Sequence, residues 1–169
     1  MRNLSTISKR LDAFIQRIGQ LSSWLIFGLV LLVASDVLLR YFFHISSIAE
    51  QELQWHILAA IAMFGSAFTF QQGEHVRVDL FYQNYNERIK ILMDIFIPLL
   101  IIIPYSIFII YLSSGYVMQS YVTGEISPDP GGLPYRYLVK ALIPFGFVLI
   151  LIQAFAVMLK AFTQLKGEK

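Results

Sequence analysis

Residues Ile91 to Val117 read ILMDIFIPLLIIIPYSIFIIYLSSGYV, with one charged residue, Asp94, near the start. A helix of about 20 apolar residues crosses the hydrocarbon core of a bilayer, so this run is a membrane span. Three further runs meet the same criterion, approximately Leu21 to Leu39, Leu53 to Phe70 and Leu138 to Phe162. Nothing between them is long enough for a soluble domain. The 169 residues therefore read as a single membrane domain, 1–169, of the all-α integral membrane class with four transmembrane helices.

Bulk composition agrees. Hydrophobic residues make up 57% of the chain and charged ones 14%, against about 45–50% and about 25% in soluble domains. Mean hydropathy is +0.64. Aromatics reach 15%, as suits rings at membrane–water interfaces. With no cysteine, disulfides, thiolate metal sites and thiol redox chemistry are excluded. The first apolar run continues past the Ala34-Ser35 step to Leu38 and Leu39, and so reads as a retained span and not a cleaved leader.

Ten of the thirteen basic residues fall on one side of this topology. They are Arg2, Lys9, Arg10 and Arg17 before the first span, Arg77, Arg88 and Lys90 between the second and third, and Lys160, Lys166 and Lys169 at the end. Arg40, Arg136 and Lys140 fall on the other. The positive-inside rule then expects both termini in the cytoplasm.

Within residues 1–19, Leu4, Ile7, Leu11, Phe14, Ile15 and Ile18 recur at helical spacing, while Lys9, Arg10, Asp12 and Arg17 fill the other face. That pattern predicts an N-terminal amphipathic interfacial helix lying on headgroups, or equally an extension of the first span into the cytoplasm. The small residues Ala59, Ala60, Ala62, Gly65, Ser66 and Ala67 on the second span mark a packing face. Pro98, Pro104 and Pro144 are expected to bend spans three and four. Asp94 suits a helix N-terminus and Lys160 a C-terminal end.

Charges at membrane depth are functional candidates by default. Asp36 and Arg40 are four apart, acid first, as are Glu52 and His56, with Glu50 and Trp55 beside them. All lie at the outer ends of neighbouring spans and are expected to form one polar cluster. A proton or ion relay would need ionisable groups through the bilayer, and Leu25–Val33 and Ala59–Ala67 have none. A static polar staple is the better reading. Haem needs axial histidines at matching depth on facing helices, yet His44 and His75 fall in or beside loops on opposite sides and only His56 is within a span. No phosphate loop, nucleophile elbow or metal-binding helix motif is present. The second outer loop is dense in turn formers, Gly124-Glu125-Ile126-Ser127-Pro128-Asp129-Pro130-Gly131-Gly132-Leu133-Pro134, and reads as a rigid excursion.

Three stretches carry a resemblance: Asp36-Val37-Leu38-Leu39-Arg40-Tyr41-Phe42, Gln51-Glu52-Leu53-Gln54-Trp55-His56, and Gly73-Glu74-His75-Val76-Arg77-Val78-Asp79. In their order, spacing and topology they resemble the small membrane subunit (DctQ-like) of tripartite ATP-independent periplasmic, or TRAP, transporters. The loop from Gly124 to Pro134 looks like the branch labelled mannitol/chloroaromatic compound transport, a label that does not define a substrate. The resemblance covers essentially the whole chain. It implies a multi-pass protein of the bacterial inner membrane, surrounded by lipid and without nucleic-acid partners or enzymatic activity. Its implied partners are a large, twelve-span-type permease subunit, which binds substrate and sodium, and a periplasmic binding protein that delivers an organic acid. No cofactor is implied for this chain.

On that resemblance Asp36, Arg40, Glu52 and Trp55 would shape the outer end of the bundle and its contact with the large subunit. His75, Arg77 and Asp79, after Gly73, would order the cytoplasmic loop. Glu125, Ser127 and Asp129 stand in the outer loop. The alternatives are a self-sufficient small oligomeric channel or transporter, a haem-binding membrane redox subunit, or an assembly factor outside transport. A channel would need a polar stripe down one helix, and none is evident.

Overall fold

A computed structural model describes residues 2–73 and 85–167, with side chains for 6–73 and 85–165. The chain forms α1 (Arg2–Leu38), α2 (Ile48–Gln72), α3 (Glu87–Ile97), α4 (Ile103–Val122) and α5 (Tyr137–Gly167). A π-helical turn, Pro98–Ile102, joins α3 to α4. Among the described residues four helical stretches are long and apolar enough to cross a membrane: Thr6–Phe43, Ile48–Gln72, Glu87–Val122 and Tyr137–Leu165. Each outruns the apolar core read from sequence, because helices continue into the polar interface after hydrophobicity stops.

The ends of these helices follow from local chemistry. α1 runs into a π-turn, Leu39–Phe43, and stops at His44, whose left-handed φ of 54° lets its N–H reach the Leu39 carbonyl. Ser47 then caps α2, its hydroxyl accepting from the Glu50 N–H at 3.4 Å. Gly73 closes α2 at φ 74°, donating to the Phe70 carbonyl, a conformation that glycine adopts without a Cβ penalty. The third span widens between its two prolines. Pro98 and Pro104 each lack an N–H, and the Ile103 N–H bonds the Pro98 carbonyl five residues back. A π-turn is a known way to absorb such a defect within a helix. Pro144 lies inside α5.

α5 packs against all four other helices, and α1, α2 and α5 each pack against the other two. Ile15, Ala67 and Leu149 meet at the centre, flanked by Ile18, Phe64, Ile150 and Ile152. A second cluster joins Ile91, Ile95 and Ala161. Lipid supplies little hydrophobic drive between helices, so close approach and dispersion hold them together. Gly19 lies so near Phe68 that a Cβ would overlap its ring. Ser22 donates to the Ile61 carbonyl at 3.2 Å across the α1–α2 contact. The small-residue face of α2 is divided: Ala67 is fully buried inside this chain, whereas Ala62 is exposed. Large apolar side chains, including Trp24, Phe27, Leu100, Ile101 and Tyr111, point outward. That inverts a soluble protein and fits a lipid-facing surface.

The N-terminal segment is continuous with the first span. α1 is unbroken from Arg2 to Leu38, and Ile15, on the apolar side of the segment, has no exposed surface. Ile7 and Phe14 on the same apolar side remain exposed, so protein covers only part of that face. Two smaller expectations also change. Asp94 lies two turns inside α3, whose first turn holds Glu87. Lys160 pairs across the bundle with Asp12 at 2.7 Å and does not end a helix.

Candidate functional site

The expected single cluster at the end opposite the termini resolves into two, because α2 turns its polar residues onto different faces. Gln51, Gln54 and Trp55 look toward α1, where they meet Val33, Asp36, Val37, Arg40, Tyr41 and His44 around an open groove of about 650 Å³. Glu52 looks instead toward the loop between α4 and α5.

In the groove, Arg40 donates to Asp36 Oδ2 at 2.8 Å, as their four-residue spacing predicts. Asp36 is only 5% exposed. Its other oxygen, Oδ1, is buried and has no hydrogen-bond partner, as is Nε2 of Gln54. Trp55 and Tyr41 stand out from the rim, where amphipathic rings sit well at a membrane interface. Glu50 serves the α2 cap through its backbone.

The second cluster is built around Glu52. The Ser127 hydroxyl donates to Glu52 Oε1, the Leu133 backbone N–H donates to Oε2 at 2.6 Å, and the Arg136 guanidinium stands 3.7 Å from Oε1. His56 lies one turn further along α2 and is half-buried. The loop adds internal bonds. Ser127 N–H donates to the Leu133 carbonyl at 3.3 Å, Gly132 N–H to the Asp129 carbonyl at 3.0 Å, and Arg136 N–H to the Glu125 carbonyl at 3.2 Å. Asp129 contributes through its N–H, which donates to Ser127 Oγ at 3.2 Å, while its side chain is exposed. Gly132 packs so closely over Ser127 and Glu52 that a Cβ would overlap both.

Beside it, Glu125 pairs with the Lys140 ammonium and lies 3.8 Å from Arg136. The hydrogen bond from Lys140 leads the effects that hold the Glu125 carboxyl below its ordinary value, against a smaller opposing push from desolvation. Lys140 in turn lies 3.9 Å over the Tyr116 ring. Glu125, Ser127 and Glu52 thus belong to one network that fixes the loop from Gly124 to Arg136.

A third cluster, at the end with the termini, joins residues that sequence spacing did not single out. Asp12 accepts from Gln153 Nε2 at 3.3 Å and pairs with Lys160. Gln71 donates to the Asp12 carbonyl at 2.6 Å, and the Ser8 hydroxyl donates to the Ala156 carbonyl at 3.1 Å. The one available signal was a glutamine, Gln153, within an apolar span. Gly73 is the α2 cap described above; His75, Arg77 and Asp79 lie outside the described residues. Among the described residues no group of three or more His, Asp or Glu side chains is arranged to hold a metal ion.

Four apolar helices with outward-facing rings and polarity gathered at their ends define a multi-pass helical membrane protein. Residues 7–164 match the family described as "Tripartite ATP-independent periplasmic transporters, DctQ component", and the chain belongs to that family. It is therefore a component of a TRAP transporter. No curated protein matches the sequence.

Proposed function

We propose that this chain is the non-catalytic small permease subunit of a TRAP transporter. It braces a large permease subunit and helps dock the periplasmic binding protein during sodium-driven uptake of a small organic anion, a carboxylate. Sodium and substrate bind the large subunit, so this chain carries no cofactor of its own. Both termini face the cytoplasm of a bacterial inner membrane, and the Gly124–Arg136 loop faces the periplasm.

The observation that carries this reading is the distribution of polarity. Leu25–Val33 and Ala59–Ala67 hold no ionisable residue, while ion pairs gather at the two ends of the bundle. A substrate path needs a lining, and rigid ends need only pins. The family match over residues 7–164 supports the same reading.

The test is uptake in sealed vesicles under a sodium gradient. The chain alone is expected to give no uptake, the complete three-part system to give uptake, and the system without this chain to give none. Uptake by the chain alone would sink the proposal.

A further inference from the structure

Between Ser8 and Trp24 the two sides of α1 are chemical opposites. One side closes against the bundle: Ser8, Ile15, Gly19 and Ser22 are buried, and Asp12, its side chain 17% exposed, pairs with Lys160. On the other side Arg10, Phe14, Arg17, Leu21 and Trp24 are all exposed. They follow the i, i+4, i+7, i+11, i+14 spacing of one helix face, with Lys9 exposed on its flank. Lys9, Arg10 and Arg17 take part in no ion pair among the described residues. The one acid of this stretch, Asp12, is spent on the opposite side. The outward face is therefore cationic and has no counter-ion of its own.

Contacts with α2 fix the depth of that face. Gln71 bonds the Asp12 carbonyl at 2.6 Å, and Gly19 abuts Phe68. Arg17 falls between those two levels, beside the last apolar turn of α2, where hydrocarbon gives way to headgroups. At 1.5 Å per residue, Arg10 stands about 10 Å further out and Trp24 about 10 Å deeper. A guanidinium at this edge can lay its stem on apolar surface and turn its head outward to an anion. Arg also matches phosphate oxygens with two parallel N–H donors.

Three accessible cations and no accessible acid select an anion. Leu21 and Trp24 beneath them, 49% and 73% exposed, select an anion that carries a hydrocarbon tail. A zwitterionic headgroup would bring an ammonium that finds no carboxylate here. An acidic protein segment would answer the charges alone.

We propose that this outward face of α1 binds an anionic phospholipid of the phosphatidylglycerol type. Arg10 and Arg17, two turns apart, bracket the phosphate from above and below, Lys9 adds its charge from the flank, and an acyl chain runs down over Leu21 and Trp24. Every contact is made to a side chain open to the lipid. The proposal needs a membrane around the four apolar spans and does not depend on the transport reading.

The test uses the full chain, delipidated in mild detergent and titrated with phosphatidylglycerol, phosphatidylethanolamine or phosphatidylcholine of matched acyl chains, with binding read by native mass spectrometry. Phosphatidylglycerol is expected to bind about tenfold or more tightly than either zwitterion, since each basic side chain near an anionic headgroup contributes about fivefold. Arg10→Gln and Arg17→Gln should each lower that preference about fivefold, and Trp24→Ala should weaken all three lipids alike. Both arginines are exposed and unpaired, so these variants should keep the wild-type circular dichroism, and the wild-type series needs no variant at all. Equal binding of the three lipids, or a preference unchanged in both arginine variants, would overturn the proposal. So would competition by glycerol phosphate at the concentration of the lipid, which would leave the apolar face idle. A photoreactive benzoylphenylalanine at position 14 should crosslink to lipid in native membranes, and crosslinking to a protein chain instead would show an acidic partner segment in the lipid's place.

Discussion

The Leu133 backbone N–H meets the Glu52 carboxylate at 2.6 Å, across 81 positions of sequence. One carboxylate at the start of the second span thereby holds a loop that begins after the third and ends at the fourth. Glu52→Ala removes the acceptor and leaves both the Ser127 hydroxyl and the Leu133 N–H to find new partners. Hydrogen exchange of the amides in the Gly124–Arg136 loop should accelerate about tenfold or more, while exchange in α1 stays near the wild-type rate. Glu52→Gln, which keeps an oxygen but loses the charge, should fall between.

Acid should loosen the same loop from its other side. Glu125 is held below its ordinary carboxyl value of 4.5, chiefly by the hydrogen bond from Lys140. A group depressed in the folded state contributes stability that is complete above the ordinary value and is lost as pH falls through the depressed one. Protease resistance of the loop should therefore be flat across neutral and mildly acidic pH and should decline only below the ordinary value. In Glu125→Gln the loop should be more readily cut at neutral pH and that acid-dependent decline should shrink.

Arg40→Leu leaves the Asp36 carboxylate buried without its cation. The expected loss is about 1–3 kcal/mol, discounted from a fully buried pair because Arg40 is half exposed. Thermal unfolding in detergent measures it. Asp36→Leu combined with Arg40→Leu should recover part of the loss, because removing both partners abolishes the unpaired charge. A double variant as unstable as the single one would show that the guanidinium matters for packing and not for charge.

Gly19→Ala tests a close approach of α1 to α2. The new methyl would overlap the Phe68 ring, and overpacking of this kind costs about 1–3 kcal/mol. Phe68→Leu in the same chain should restore much of the stability, since it withdraws the atoms that collide. Chemical unfolding of the two variants side by side provides the measurement.

What could be read from sequence was whatever is local. The four spans announce themselves because a bilayer demands unbroken apolar length. Asp36 and Arg40 are one helical turn apart, so their pairing follows from spacing alone. Glu52 has the same spacing to His56, and that coincidence suggested a single cluster. Its hydrogen-bond partners are 75 and 81 positions away, where no periodicity reaches. The N-terminal segment was ambiguous for another reason. A helix face that packs on protein and one that sinks into headgroups are equally apolar, and only the neighbours distinguish them. Asp12 and Lys160 each looked like an ordinary interfacial charge until α1 and α5 were placed side by side.

The seating of α1 against α5 also sets an order of assembly. Ser8 waits for a carbonyl 148 positions later, and Asp12 waits for Gln153 and Lys160. At about 5–20 residues per second, the ribosome needs roughly ten seconds to half a minute to deliver them. For that interval the first helix holds its acid without its lasting counter-ion, and the bundle cannot close. A chain truncated before α5 therefore holds Asp12 without Gln153 and Lys160.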